Sequence, residues 1–137
     1  MSTALLLITH NRIGDELLAT ATAMLGHCPL TARVLPVTEG SDPEALQRQA
    51  EGLVAALEAE GCEVIVLTDM YGSTPANIAR RLQRHHDHLD VITGLNLPML
   101  VRLLNYPRLD RAQLVAKALS GGWEGIFSCG RGEEDGP

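Results

Sequence analysis

The chain has 137 residues, 45% hydrophobic and 20% charged, which fits one globular domain with a genuine core. Its formal net charge of -6 argues against a nucleic-acid surface but says little about small anions, which local dipoles bind whatever the overall sign. Cys28, Cys62 and Cys129 are an odd number without CxxC spacing, so neither a disulfide framework nor a zinc knuckle is expected, and reduced cytoplasmic thiols are.

The first informative stretch is Ala4-Leu5-Leu6-Leu7-Ile8-Thr9-His10, an apolar run that ends in a titratable side chain. It is too short to span a membrane and has neither a basic leader nor a cleavage site, so the expected location is the cytoplasm, without membrane insertion. A continuous apolar run flanked by helical patterns suits a parallel strand covered on both faces. Asn11 can then cap a helix carrying Leu17, Leu18, Ala21, Met24 and Leu25 at helical spacing, with Gly26 as its stop. Asp15 and Glu16 suit the positive end of that helix.

Residues 31–37 read as a second strand, in which Pro36 indicates an edge position or an early end. Ser41 with Glu44 has capping-box spacing, and Asp42 before Pro43 is an equally good helix start. Leu46, Ala50, Leu53, Val54 and Leu57 form one apolar stripe, ended by Gly61. A second buried strand follows, Val64-Ile65-Val66-Leu67-Thr68-Asp69, again ending in an ionisable residue.

In Met70-Tyr71-Gly72-Ser73-Thr74-Pro75 the glycine permits close backbone approach, Ser73 or Thr74 can cap, and Pro75 favours the first helical position. A helix start beside His10 and Asp69 offers free N–H groups and a positive dipole end, which suit a phosphate. The loop lacks the lysine and the length of a Walker motif, so nucleotide binding is not implied, and no cofactor is called for. Ile78, Ala79 and Leu82 give the helix an inner face, while Arg80, Arg81, Arg84, His85, His86 and His88 mark a solvated outer face or a docking patch for an acidic protein. Adjacent helical histidines point apart, so no metal site is expected there.

Residues 89–93 form a fourth predicted strand, and Gly94-Leu95-Asn96-Leu97-Pro98 leads into a helix over 98–105. Asn96 either faces the site or caps that helix. Asp110 is expected to cap a last helix carrying Leu114, Val115, Ala118 and Leu119, closed by Gly121-Gly122. A short strand over 123–129 and a disordered tail over 130–137 complete the expectation, with one domain over 1–129. Alternating strands and helices give an α/β fold, a small doubly wound and mainly parallel sheet with helices on both faces and right-handed crossovers.

In such sheets ligands bind beyond the carboxyl ends of the strands, where His10 and Asp69 fall. A carboxylate there fixes the imidazole's tautomer and leaves the other ring nitrogen free as nucleophile or base. Phosphoryl chemistry on His10 fits, with Asp69 orienting the ring and the backbone N–H groups around Gly72 and Ser73 holding phosphate. Thr9, Thr68 and Asn96 are candidates for the edge of the site.

The strand ending in Thr9-His10, the segment Leu67-Thr68-Asp69-Met70-Tyr71-Gly72-Ser73-Thr74-Pro75-Ala76-Asn77, the segment Gly94-Leu95-Asn96-Leu97-Pro98-Met99-Leu100, and Gly125 together carry a resemblance. In order and spacing over about residues 3 to 128, the chain resembles enzyme IIA of the mannose family of the bacterial phosphotransferase system. The resemblance implies that His10 accepts a phosphoryl group from the phosphocarrier HPr and passes it to a IIB component. It also implies that Asp69 partners the histidine, that Gly72 and Ser73 contact the phosphate, and that a homodimer exchanges a C-terminal strand. The remote ring nitrogen is the one the family would phosphorylate. Stand-alone proteobacterial relatives suggest regulation as well as sugar transport. The family's usual glycine after the histidine is Asn11 here, a residue that tolerates left-handed angles. Two rival classes are a non-catalytic module for a phosphorylated ligand and a small hydrolase, although no nucleophile elbow supports the latter.

Overall fold

The computed structural model describes residues 2–131. The elements follow one another as β1 (Ser2–His10), α1 (Ile13–Leu25), β2 (Ala32–Val37), α2 (Pro43–Ala59), β3 (Cys62–Thr68), α3 (Thr74–His85), β4 (Leu89–Ile92), α4 (Leu97–Leu104) and α5 (Arg111–Glu124). The four strands form one parallel sheet in the order β2-β1-β3-β4. β2 is an edge strand, one of the two outcomes expected from Pro36, since proline has no N–H for a second neighbour.

The apolar runs explain the centre. Leu5, Leu6, Leu7 and Ile8 in β1 and Ile65, Val66 and Leu67 in β3 are fully buried, because helices cover both faces of the strands. Alternation then divides the side chains. Leu6, Ile8, Val64 and Val66 meet Leu46, Ala50, Val54 and Leu57 of α2 and Ile78, Ala79 and Leu82 of α3. Leu5, Leu7, Ile65 and Leu67 meet Ala21 of α1, Leu100 and Leu103 of α4, and Leu114 and Ala118 of α5. Each such buried aliphatic side chain contributes about 2 kcal/mol, so the two central strands dominate the stability of the fold.

Local chemistry departs from expectation in several places. Asn11 is not the cap of α1; that position is Arg12, and Asn11 instead takes the left-handed conformation with φ 48°. The start of α1 is held by Thr9, whose Oγ1 accepts the Gly14 N–H at 2.8 Å. Met24 stands 62% exposed and is not part of the inner face of α1, whose buried residues are Gly14 and Ala21. Asp42 caps α2 through the Glu44 N–H, and Ser41 hydrogen-bonds Thr38 instead.

The largest correction concerns the last helix. Gly121-Gly122 does not end α5, which runs to Glu124. The pair serves close packing on α4: a Cβ at Gly121 would lie 2.7 Å from Arg102 Cβ, and one at Gly122 would lie 2.9 Å from Met99 Cε. Trp123 and Glu124 are therefore helical, and the expected strand over 123–129 does not form within this chain; 126–130 has no regular secondary structure. Of the expected tail, Gly130 and Arg131 are exposed and residues 132–137 lie outside the described residues.

Candidate functional site

β1 and β3 are neighbours, with Ile8 opposite Thr68, so they deliver their carboxyl ends to the same place. The chain leaves β1 toward β2 on one side and returns to β3 on the other, which makes the gap between β1 and β3 the topological switch point. His10 closes β1 there, and Asp69 follows β3 immediately. They are 59 residues apart in sequence, yet His10 Nδ1 lies 2.9 Å from Asp69 Oδ2. The backbone N–H of His10 donates to the same oxygen at 3.1 Å.

With Asp69 ionised, that oxygen accepts both hydrogen bonds, so Nδ1 carries the proton and Nε2 presents its lone pair. The pair is graded in exposure: the His10 side chain is 41% exposed, Asp69 only 11%. Nε2 has no hydrogen-bond partner among the described residues. The arrangement is a ring held by its near nitrogen with its far nitrogen open to an electrophile.

His10 forms one wall of a cleft of about 350 Å³, lined also by Asn11, by Val37, Thr38, Glu39, Gly40, Ser41 and Pro43 between β2 and α2, and by Thr74. The left-handed turn at Asn11 bends the chain out of β1, and its N–H bonds to Val37 O at 2.9 Å, tying this wall together.

Gly72 takes φ 77°, a conformation side chains disfavour, and turns the chain from Asp69 into α3. Ser73 is the N-cap by backbone position, but its hydroxyl donates to Met70 O at 2.6 Å and caps nothing. The first N–H groups of α3 therefore keep their capacity for an anion. Thr74, rather than Gly72 or Ser73, reaches the lining of the cleft. Thr9 is fully buried and spent on Gly14. Thr68 is fully buried with no partner for its Oγ1 among the described residues, while its carbonyl accepts the Leu95 N–H at 3.0 Å. Asn96 caps α4 through Met99 N–H at 2.9 Å and donates to Gly122 O at 3.1 Å, so both ends of its amide are committed to joining α4 and α5.

The basic face of α3 is largely paired within the chain. Arg81 reaches Glu44 at 3.3 Å and His85 reaches Glu51 at 3.0 Å. His86 is held between Glu51 at 2.7 Å and Glu58 at 3.0 Å. Burial penalises the imidazolium of His86, but hydrogen bonds and charges from Glu51 and Glu58 outweigh it and hold its pKa above the ordinary 6.5. Burial likewise acts to raise Glu51, and the two histidines overcome it, leaving its pKa below 4.5. This cluster lies about 18 Å along α3 from Ser73 by helical rise; its histidines join α3 to α2, while Arg80 and Arg84 on the same face are exposed.

The lining from the β2–α2 loop went unread in the sequence. Its signal was positional: Thr38, Glu39, Gly40 and Ser41 directly follow a parallel strand, and every such loop at the carboxyl edge helps build the site. Among the described residues no group of three or more His, Cys, Asp or Glu side chains is placed to hold a metal, and no helix is long and apolar enough to cross a membrane.

A family model described as PTS system fructose IIA component (EIIA-man) matches residues 4–118. The chain is 32% identical over 130 residues to the mannose-specific EIIAB component of the phosphotransferase system of Escherichia coli K12, covering 92% of this chain but only 39% of that protein. Among solved structures it resembles the mannose/sorbose-specific IIA subunit from Enterococcus faecalis, with TM-score 0.83, 26% identity, and coverage of 98% and 100% of the two chains. It also resembles the IIA protein associated with the fucose utilization operon of Streptococcus pneumoniae, with TM-score 0.76, 25% identity, and coverage of 93% and 96%.

Proposed function

The chain belongs to the mannose-type IIA family of the bacterial phosphotransferase system, and on that premise we propose that it is a phosphorelay protein whose acceptor is His10. The observation that carries this reading is the 2.9 Å hydrogen bond from His10 Nδ1 to Asp69, which leaves Nε2 as the free nucleophile.

The donor is a phosphohistidine of HPr, with its ring in the imidazolium form. The Nε2 lone pair enters phosphorus as the donor's P–N bond breaks, and the donor ring keeps that bonding pair and leaves neutral. The ring's positive charge moves from the donor to His10, where Nδ1–H faces the Asp69 carboxylate that stabilises it. The N–H groups at the start of α3, after Gly72 and Ser73, supply dipoles to the phosphoryl oxygens. Reversal of the same step toward a IIB component or a regulatory target releases the group. Asp69 and the free N–H groups are in place beforehand, so the protein spends little on reorganisation.

The same reading makes the protein a cytoplasmic homodimer. Among the described residues β4 has no neighbour on its outer side, and Leu119, Trp123, Ile126 and Phe127 are 55–79% exposed on the outer side of α5 and the segment beyond it. A second copy supplying strand and apolar contact would cover both.

The test is incubation with phosphoenolpyruvate, enzyme I and HPr, followed by intact-mass spectrometry. One acid-labile phosphoryl group mapping to His10 is expected, and none in His10→Ala. Labelling that persists in the His10→Ala protein would refute the assignment.

A further inference from the structure

In a chain of formal net charge -6, α3 carries three arginines and no acidic residue over Thr74–His85. Its contacts with α2 use up part of that charge, since Arg81 is taken by Glu44 and His85 by Glu51. Arg80 and Arg84 are exposed and form no ion pair among the described residues; Asp87, the next acid along the chain, pairs with neither. Four residues apart, they stand one above the other on a single ridge of the helix. The Arg80 guanidinium lies over the Tyr71 ring, 5.8 Å from its centroid, and Tyr71 and its neighbour Met70 are 68% and 63% exposed. The cations therefore adjoin an uncovered aromatic ring and thioether on the loop after Asp69. Arginine, tyrosine and methionine together are the composition enriched where proteins meet. A guanidinium already resting on a ring also has less freedom to lose when a partner arrives.

We propose that this ridge of α3 docks an acidic amphipathic helix of a protein partner. Arg80 and Arg84 receive two carboxylates one helical turn apart, and Tyr71 with Met70 receives an apolar side chain beside them. The two arginines are about 6 Å apart along the axis by helical rise, which is also the spacing of carboxylates at i and i+4 on a partner helix. Each guanidinium presents a planar fork that donates two parallel N–H bonds to one carboxylate. A nucleic acid fits less well, because a polyanion would have to approach a chain of net charge -6 with only two free cations on this ridge to neutralise its phosphates. The paired histidines and Arg81 fix the helix against α2 and leave the two free cations as the specific contacts. This docking surface is independent of the phosphoryl chemistry at His10.

The probe is a synthetic amphipathic helix with two glutamates one turn apart beside a leucine, compared with its glutamine counterpart. Binding to the full chain is read by fluorescence anisotropy and mapped by amide shifts in nuclear magnetic resonance. The glutamate peptide is expected to bind at least about 10-fold more tightly than the glutamine peptide, with shifts centred on Tyr71, Asn77, Arg80 and Arg84. Arg80→Glu and Arg84→Glu should each weaken it roughly 10-fold at an unchanged urea midpoint, since both side chains are exposed. Arg108→Glu makes the same change of charge on an exposed residue between α4 and α5, which cover the other face of the sheet, and should alter binding less than about two-fold. An equal loss in Arg108→Glu would reduce the effect to overall charge and overturn the proposal. Shifts centred away from α3, or equal affinity for the two peptides, would overturn it as well. A single-stranded oligonucleotide that binds this ridge more tightly than the glutamate peptide would reassign the surface to nucleic acid.

Discussion

Two glycine-to-alanine substitutions in helices should shift stability in opposite directions. In a helix interior the change removes backbone entropy from the unfolded chain and gains up to about 1 kcal/mol. Gly52 lies on the exposed side of α2, and a Cβ there meets nothing within 4 Å, so Gly52→Ala should stabilise by roughly 0.5–1 kcal/mol. Gly121 has the same helical backbone on α5, but its Cβ would lie 2.7 Å from Arg102 Cβ, 3.0 Å from Arg102 Cδ and 3.2 Å from the Pro98 carbonyl oxygen. Arg102 Cβ is not a movable side-chain end, and Arg102 also bonds Ser120 and Glu124 across the same contact. Overpacking of this kind costs about 1–3 kcal/mol, which exceeds the propensity gain, so Gly121→Ala should end roughly 0.5–2 kcal/mol less stable than wild type. Urea unfolding followed by far-UV circular dichroism reads both, with a displaced midpoint at unchanged slope. A Gly121→Ala protein as stable as Gly52→Ala would refute the claim that these glycines exist for helix contact.

Three further outcomes are expected. Asp69→Asn removes a charge-assisted hydrogen bond of about 1.5–3 kcal/mol, so phosphoryl acceptance by His10 should slow by about 10- to 100-fold in the HPr assay while the chain stays folded. A raised folded-state pKa at His86 means that its stabilising contribution is complete below the ordinary 6.5 and is lost as pH rises through the folded value; Glu51, being lowered, contributes above 4.5 and loses its contribution as pH falls. His86→Asn should therefore flatten the decline in urea midpoint as pH rises above 6.5; an unchanged decline would remove His86 as its source. At Asn11, with φ 48°, glycine should be accepted within about 0.5 kcal/mol and valine should cost about 1–3 kcal/mol in the same unfolding measurement.

The parts of this fold written as one-dimensional patterns were legible. Ala4 to Ile8 and Val64 to Leu67 announce fully covered strands because nothing polar interrupts them, and Pro36 limits its strand to an edge position or an early end because it lacks an N–H. The positions of His10 and Asp69 at the ends of those runs then follow from parallel topology alone. What escaped depends on neighbours that the sequence does not place. Gly121-Gly122 looks like a helix stop until α4 lies against it. His85 and His86 look like a free basic face until α2 brings Glu51 and Glu58 to them. The β2–α2 loop shows no motif, and its relation to His10 comes from strand order rather than from its own residues.

The placement of His10 has a consequence for the protein's opening motions. Its backbone continues directly from Leu5 to Ile8, whose side chains are all wholly covered, and its partner Asp69 continues from Ile65 to Leu67, which are covered as completely. Amides in such strands exchange with solvent only when the whole domain unfolds, whereas exposed loops open by themselves many times more often. A surface histidine is in this way fastened to the slowest-opening part of the molecule. The loops at 38–41 and 70–73, exposed for most of their length, can breathe around it while the His10–Asp69 pair keeps its geometry.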